Sequence, residues 1–145
     1  MNYWDSSAVV ALIVEEDGSA DARDVFRRDR DMAAWWGTPV ECHAAIRRRE
    51  RGGAATADVA RTYVDGFSQL FGKWVEIGPA EHLRLRAQRL LAQHPLRAAD
   101  ALQLAAALDW ADEEPFGKGF VCLDDRLRES ARREGFNILP AAKPL

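Results

Sequence analysis

The chain carries short apolar runs that end on acidic residues, separated by longer stretches with helical spacing. Asn2-Tyr3-Trp4 is apolar-aromatic, stops at Asp5 and predicts a strand. Ala8 to Val14 is seven apolar residues in a row. At that length periodicity does not separate a strand from a buried helix. Ser19–Arg30 predicts a helix with Ala22, Val25 and Phe26 on one face, and Met32–Trp36 a second strand. Gly37-Thr38-Pro39 opens a helix to about Arg51, which Gly52-Gly53 ends. From Thr56 to Trp74 the residues Val59, Tyr63, Phe67, Leu70 and Trp74 recur at steps of four and three, the stripe of an amphipathic helix. Val75–Ile77 predicts a strand stopped by Gly78-Pro79. Leu83, Ala87, Leu90 and Leu91 line a helix from Ala80 to about Gln93, broken by His94-Pro95. Arg97–Ala111 is nearly apolar all round and predicts a buried helix. After a turn at Gly117–Gly119, Phe120–Leu123 predicts a strand ending at Asp124 and Asp125. A polar helix to Glu134, stopped by Gly135, and a strand at Phe136–Leu139 close the chain.

Strands alternating with helices predict an α/β fold: one domain over 1–145, with a central parallel sheet flanked by helices. A length of 145 residues suits one domain and buries a core without disulfides. No apolar run approaches the roughly 20 residues that cross a bilayer, and the start lacks the basic segment of a signal peptide. Cys42 and Cys122 lie far apart and read as reduced thiols, so the expected location is cytoplasmic.

Four acids stand out by position. Asp5 ends the first strand, Glu41 and Asp100 lie in first turns of helices, and Asp124 follows a strand. In a parallel α/β fold, strand C-ends and the N-ends of the following helices face the same edge, where ligands bind. All four can therefore meet in one crevice. Two unit charges 4 Å apart repel by about 4 kcal/mol at an effective dielectric of 20. Carboxylate and water oxygens suit Mg²⁺ or Mn²⁺, ions that support phosphodiester hydrolysis.

Each acid also has a bland reading. Asp5 and either Asp124 or Asp125 are natural helix caps. Thr38-Pro39-Val40-Glu41 fits a capping box, and Asp100 suits a helix dipole. Taken together these readings explain less. Asp100 opens the most apolar helix, where an unpaired charge is costly.

The net charge of -3 speaks against a nucleic-acid binder, but arginines cluster at Arg47, Arg48, Arg49 and Arg51, at Arg84, Arg86 and Arg89, and at Arg126, Arg128, Arg132 and Arg133. The arginine fork suits phosphate. A zinc site from Cys42, His43, His82 and Cys122 is disfavoured by spacing.

Asp5-Ser6-Ser7-Ala8 resembles the opening Asp-Thr/Ser-Ser-Ala of PIN domains. Glu41 matches that family's second acid. Asp100-Ala101-Leu102-Gln103-Leu104-Ala105 resembles its Asp-Ala-Leu-His-Leu-Ala segment, and Val121-Cys122-Leu123-Asp124-Asp125-Arg126-Leu127, with Ala131 and Gly135, its closing pattern. The resemblance covers the chain in order and points to VapC-type toxins of type II toxin–antitoxin systems. It implies a Mg²⁺- or Mn²⁺-dependent endoribonuclease acting on tRNA or ribosomal RNA. Asp5, Glu41, Asp100 and Asp124 would be catalytic and metal-holding, with Ser7 supporting the site and Arg97 and Arg126 holding the RNA backbone. It also implies a homodimer and a VapB-like antitoxin, with operator DNA bound only through that antitoxin, and no membrane. Gln103 stands where the family often has His, and Cys122 where it often has Thr or Ser. The alternatives are a catalytically degenerate PIN-like binding module and a Mg²⁺-dependent phosphotransfer protein. The latter needs a lysine late in the chain, and Lys73, Lys118 and Lys143 are poorly placed for that.

Overall fold

The computed structural model describes residues 1–141. Lys143 and the last four residues of the expected 1–145 domain lie outside them. In chain order the elements are β1 (Asn2–Trp4), α1 (Ser6–Ile13), α2 (Ser19–Arg28), β2 (Met32–Trp35), α3 (Thr38–Arg51), α4 (Ala57–Phe71), β3 (Val75–Ile77), α5 (Glu81–Gln93), α6 (Ala98–Trp110), β4 (Gly119–Val121), α7 (Asp125–Glu134) and β5 (Asn137–Leu139). The five strands form one sheet in the order β3-β2-β1-β4-β5, every pairing parallel.

Side chains alternate across each strand, and this splits the core into two layers. Tyr3, Ala33, Trp35 and Phe120 face the layer built on α5, α6 and α7, with Leu83, Leu90, Leu104, Leu108 and Leu127. Trp4, Met32, Ala34 and Val121 face the opposite layer, with Val9 and Val10 of α1, Val25 of α2, Cys42 of α3 and Phe67 of α4. The three central strands β2, β1 and β4 are buried on both faces, which explains why they read as plain apolar runs, while the edge strands β3 and β5 stay partly exposed. Fourteen-residue α3 and fifteen-residue α4 are the longest helices, and among the described residues none is long and apolar enough to cross a membrane.

Several expectations change in the structure. The ambiguous run Ala8–Val14 is helical up to Ile13, with Val14 as the extended C-cap: Asp5 caps α1, and Ala8 to Ala11 are buried in the second layer. The helix expected to Arg30 stops at Arg28. The strand expected at 120–123 ends at Val121, leaving Cys122 and Leu123 as a link to Asp124. Leu91 points outward, as does Val59, because each lies at the margin of its helix's apolar stripe. Thr38 makes no capping bond; Gly37 precedes α3 and Thr38 is buried. The capping-box reading of Glu41 therefore fails, which frees its carboxylate for another role.

Sheet order places the site. The chain leaves β1 towards β2 on one side, while β4 and β5 occupy the other, so direction reverses between β1 and β4. Such a reversal opens a crevice at the carboxyl ends of the strands. Asp5 follows β1 and Asp124 follows β4, on either side of it.

Candidate active site

Asp5 is the N-cap of α1 and only 3% exposed. Its Oδ2 accepts hydrogen bonds from the Ser7 amide at 3.1 Å and the Ser7 hydroxyl at 2.5 Å. Burial pushes its carboxyl up to about 6; Ser7 pulls the other way and the nearby Glu41 charge adds to the rise. The capping role and a place in the cleft are thus compatible in one residue.

Glu41 lies in the first turn of α3, where its carboxylate accepts from the Ser6 hydroxyl and from Gln103 Nε2 at 3.1 Å. Its carboxyl is raised by burial, opposed by those two donors, with Asp100 adding to the rise. Asp100 sits in the first turn of α6. Burial and the Asp124 charge raise it, while the backbone bond at Arg97 and the charges of Arg97 and Arg126 lower it. Asp124 is the N-cap of α7, its Oδ1 accepting from the Leu127 amide at 2.9 Å. Of the two candidate caps, Asp124 takes the role and Asp125 is the first helical residue.

All four acids line one cleft of about 910 Å³, together with Ser6, Ser7, Asp125, Arg48, Arg49, Arg97 and Arg126. Arg97 and Arg126 thus stand where the sequence put them, at the cleft. Arg49 is tied to Glu16. Lys118 bonds the Ala111 carbonyl, and among the described residues no lysine lines the cleft.

The donor set decides which ions suit this cleft. It offers carboxylate and hydroxyl oxygens, chemistry that fits Mg²⁺ or Mn²⁺. Burial, and to a smaller extent the charge of a neighbouring acid, raises the carboxyls of Asp5, Glu41 and Asp100, and a bound cation would favour their ionised forms. Among the described residues no three His, Cys, Asp or Glu side chains are gathered tightly enough to hold an ion alone. The zinc alternative fails on position: His82 is exposed against Asp109, His43 bonds the Pro39 carbonyl, and Cys42 is buried in the second layer.

Three contributors escaped the sequence reading. Ser6 was read only as motif, yet it bonds Glu41. Gln103 was read as a departure, yet it is wholly buried and bonds both Glu41 and Thr38. Tyr3 donates to Gln103 Oε1 at 2.6 Å. A polar Gln in the most apolar helix was the available signal, since a buried amide needs partners. Cys122 puts its sulfur 3.5 Å from Asp5 Oδ2 and 3.7 Å from Ser7 Oγ, so the thiol occupies the place where a hydroxyl was expected and keeps contact with the site.

A pH test follows from Asp5. Its folded carboxyl titrates above the unfolded value, so its neutral form favours the fold. That contribution is complete below about pH 4 and lost as pH rises through about 6. At about 1.4 kcal/mol per unit, the loss is at most about 3 kcal/mol. In EDTA, urea titrations of Asp5→Asn minus wild type should show the variant gaining relative stability between pH 4 and 7. A flat difference would refute the buried-carboxyl assignment.

No protein-family model matches the chain. Two curated relatives do. Ribonuclease VapC45 of Mycobacterium tuberculosis (strain CDC 1551 / Oshkosh) is 30% identical over 146 aligned residues, covering 96% of this chain and 94% of the relative. Ribonuclease VapC49 of M. tuberculosis (strain ATCC 25618 / H37Rv) shows the same identity and coverage.

Proposed function

The chain belongs to the VapC ribonucleases, and from that premise we propose that it is the toxin of a type II toxin–antitoxin pair, a single PIN domain over 1–145 that cuts tRNA or ribosomal RNA with Mg²⁺ or Mn²⁺. The observation that carries this reading is the shared cleft: Asp5, Glu41, Asp100 and Asp124, scattered over the sequence, line one pocket beside arginines.

In this reading the four acids hold the ion, directly or through water. A bound divalent ion would supply a Lewis acid that lowers the pKa of water and stabilises the leaving oxygen of the phosphodiester. Ser7 holds the Asp5 carboxylate through two hydrogen bonds, and Ser6 holds Glu41. Arg97 and Arg126, joined by Arg48 across the cleft, bind phosphates of the RNA backbone. Arg48, Arg97 and Arg126 line the same cleft as the four acids, so the net negative charge of the chain is offset locally where the RNA would lie.

The partners that accompany this reading are a VapB-like antitoxin and a second copy of the chain, with operator DNA engaged through the antitoxin. The setting is the cytoplasm.

Purified protein with total bacterial RNA and Mn²⁺ should produce discrete new 5′ ends by sequencing, abolished by EDTA. The same metal should raise the melting temperature of the RNA-free protein, since a ligand bound only by the folded state stabilises it. Cleavage unaffected by EDTA, together with a melting temperature indifferent to millimolar metal, would overturn the metal-dependent reading.

A further inference from the structure

We propose that Gln103 is a positioning residue for the metal-holding carboxylate of Glu41, acting as the middle of a hydrogen-bonded relay from buried Tyr3 through buried Gln103 to Glu41 in the cleft. This inference rests on the metal-dependent reading given above.

The relay is built from three elements that are distant in sequence. Tyr3 on central β1 donates from its hydroxyl to Gln103 Oε1 at 2.6 Å. Gln103 on α6 donates from Nε2 to Thr38 Oγ1 at 3.0 Å and to Glu41 at 3.1 Å. Tyr3, Gln103 and Thr38 are all fully buried. A wholly buried amide in the most apolar helix of the chain is costly unless its groups are satisfied. Here its oxygen and both directions of its NH₂ find partners, so the side chain is fixed.

The direction of the amide follows from chemistry. An ionised carboxylate only accepts hydrogen bonds, so Glu41 requires the NH₂ end to face it. The oxygen then faces the Tyr3 hydroxyl, which donates to it at 2.6 Å. Both ends therefore agree on one orientation.

What the relay supplies is rigidity. The same oxygen of Glu41, Oε2, accepts from Ser6 and from Gln103. These bonds come from the two sides of the sheet's edge, from α1 and from α6, and fix the carboxylate on α3 between them. Partners of this kind, one step behind a metal ligand, typically change metal affinity or activity about 10- to 100-fold when removed. Ser6 lines the cleft itself, whereas Gln103 and Tyr3 do not, so their effect must travel through Glu41.

The test measures Mn²⁺ binding to the full chain by calorimetry, beside the Mn²⁺ dependence of RNA cleavage. Gln103→Met keeps the length and removes both amide groups; Tyr3→Phe removes only the far hydroxyl and keeps the core aromatic. Gln103→Met should weaken Mn²⁺ binding about tenfold and shift the metal concentration needed for half-maximal cleavage by the same factor, with much of the rate recovered at saturating Mn²⁺. Tyr3→Phe should move both in the same direction by a smaller factor. Glu41→Gln is the reference for loss of the ligand itself. If Glu41→Gln lost binding while Gln103→Met and Tyr3→Phe, both with wild-type circular dichroism, bound Mn²⁺ as wild type does, the relay would be refuted and the metal reading kept. If Gln103→Met did not fold, an unchanged Mn²⁺ affinity in Tyr3→Phe would refute it alone. Absence of Mn²⁺ binding by the wild type would overturn both.

Discussion

Expression of this chain alone should arrest bacterial growth, and Asp5→Asn or Asp100→Asn should release it. Asp5 is the most buried of the four acids, and its carboxyl is raised to about 6. Such a group is expensive to keep ionised without a cation beside it. Asparagine is a good N-cap, so Asp5→Asn preserves the start of α1 and the bond to the Ser7 amide while removing the charge. The fold should therefore survive, and cleavage should fall by at least about 100-fold, the scale set by disturbing a metal site. Asp100→Asn acts in the same cleft from α6, where the carboxyl feels the Asp124 charge. Growth and RNA 5′ ends, at matched protein levels, provide the measurement. Equal toxicity of wild type and both variants would end the catalytic reading.

Asp124→Asn should also abolish metal-dependent cleavage, while Asp125→Asn should change little. Asp124, not Asp125, caps α7, through the Leu127 amide at 2.9 Å. Its cap is kept by Asn, so loss of cleavage in Asp124→Asn reports the missing charge in the cleft. Asp124→Ala removes both, and should lower stability by about 1 kcal/mol in addition. Asp125 lines the cleft too, but as the first residue of α7 its charge mainly answers the helix dipole. Cleavage lost in Asp125→Asn and kept in Asp124→Asn would reverse the assignment of the fourth acid.

The sequence by itself determined the fold class and singled out four acids that line one cleft in the structure. Short apolar strands alternating with helices imply a parallel sheet, and every strand formed near its expected place because short apolar runs and the 3.6-residue helical period are local signals. The four acids were legible because each sits at a strand end or in a first helical turn, and such ends share one edge of a parallel sheet. Other features depended on which elements become neighbours. The run Ala8–Val14 reads alike as strand or helix until Asp5 caps it and α1 is laid on the sheet. Thr38 and Glu41 read as a capping box, yet α6 brings Gln103 against both, and burial turned them to that partner. The strand before Asp124 was expected to run to Leu123; its pairing ends at Val121, and Asp124 became a cap as well as an acid of the cleft. Tyr3 and Gln103 stand 100 residues apart. Their bond, like the reversal of chain direction between β1 and β4 that opens the cleft, depends on the order of strands in the sheet. Local pattern does not encode that order. It is set by how the two apolar faces of the sheet are covered, so only the tertiary structure decided it.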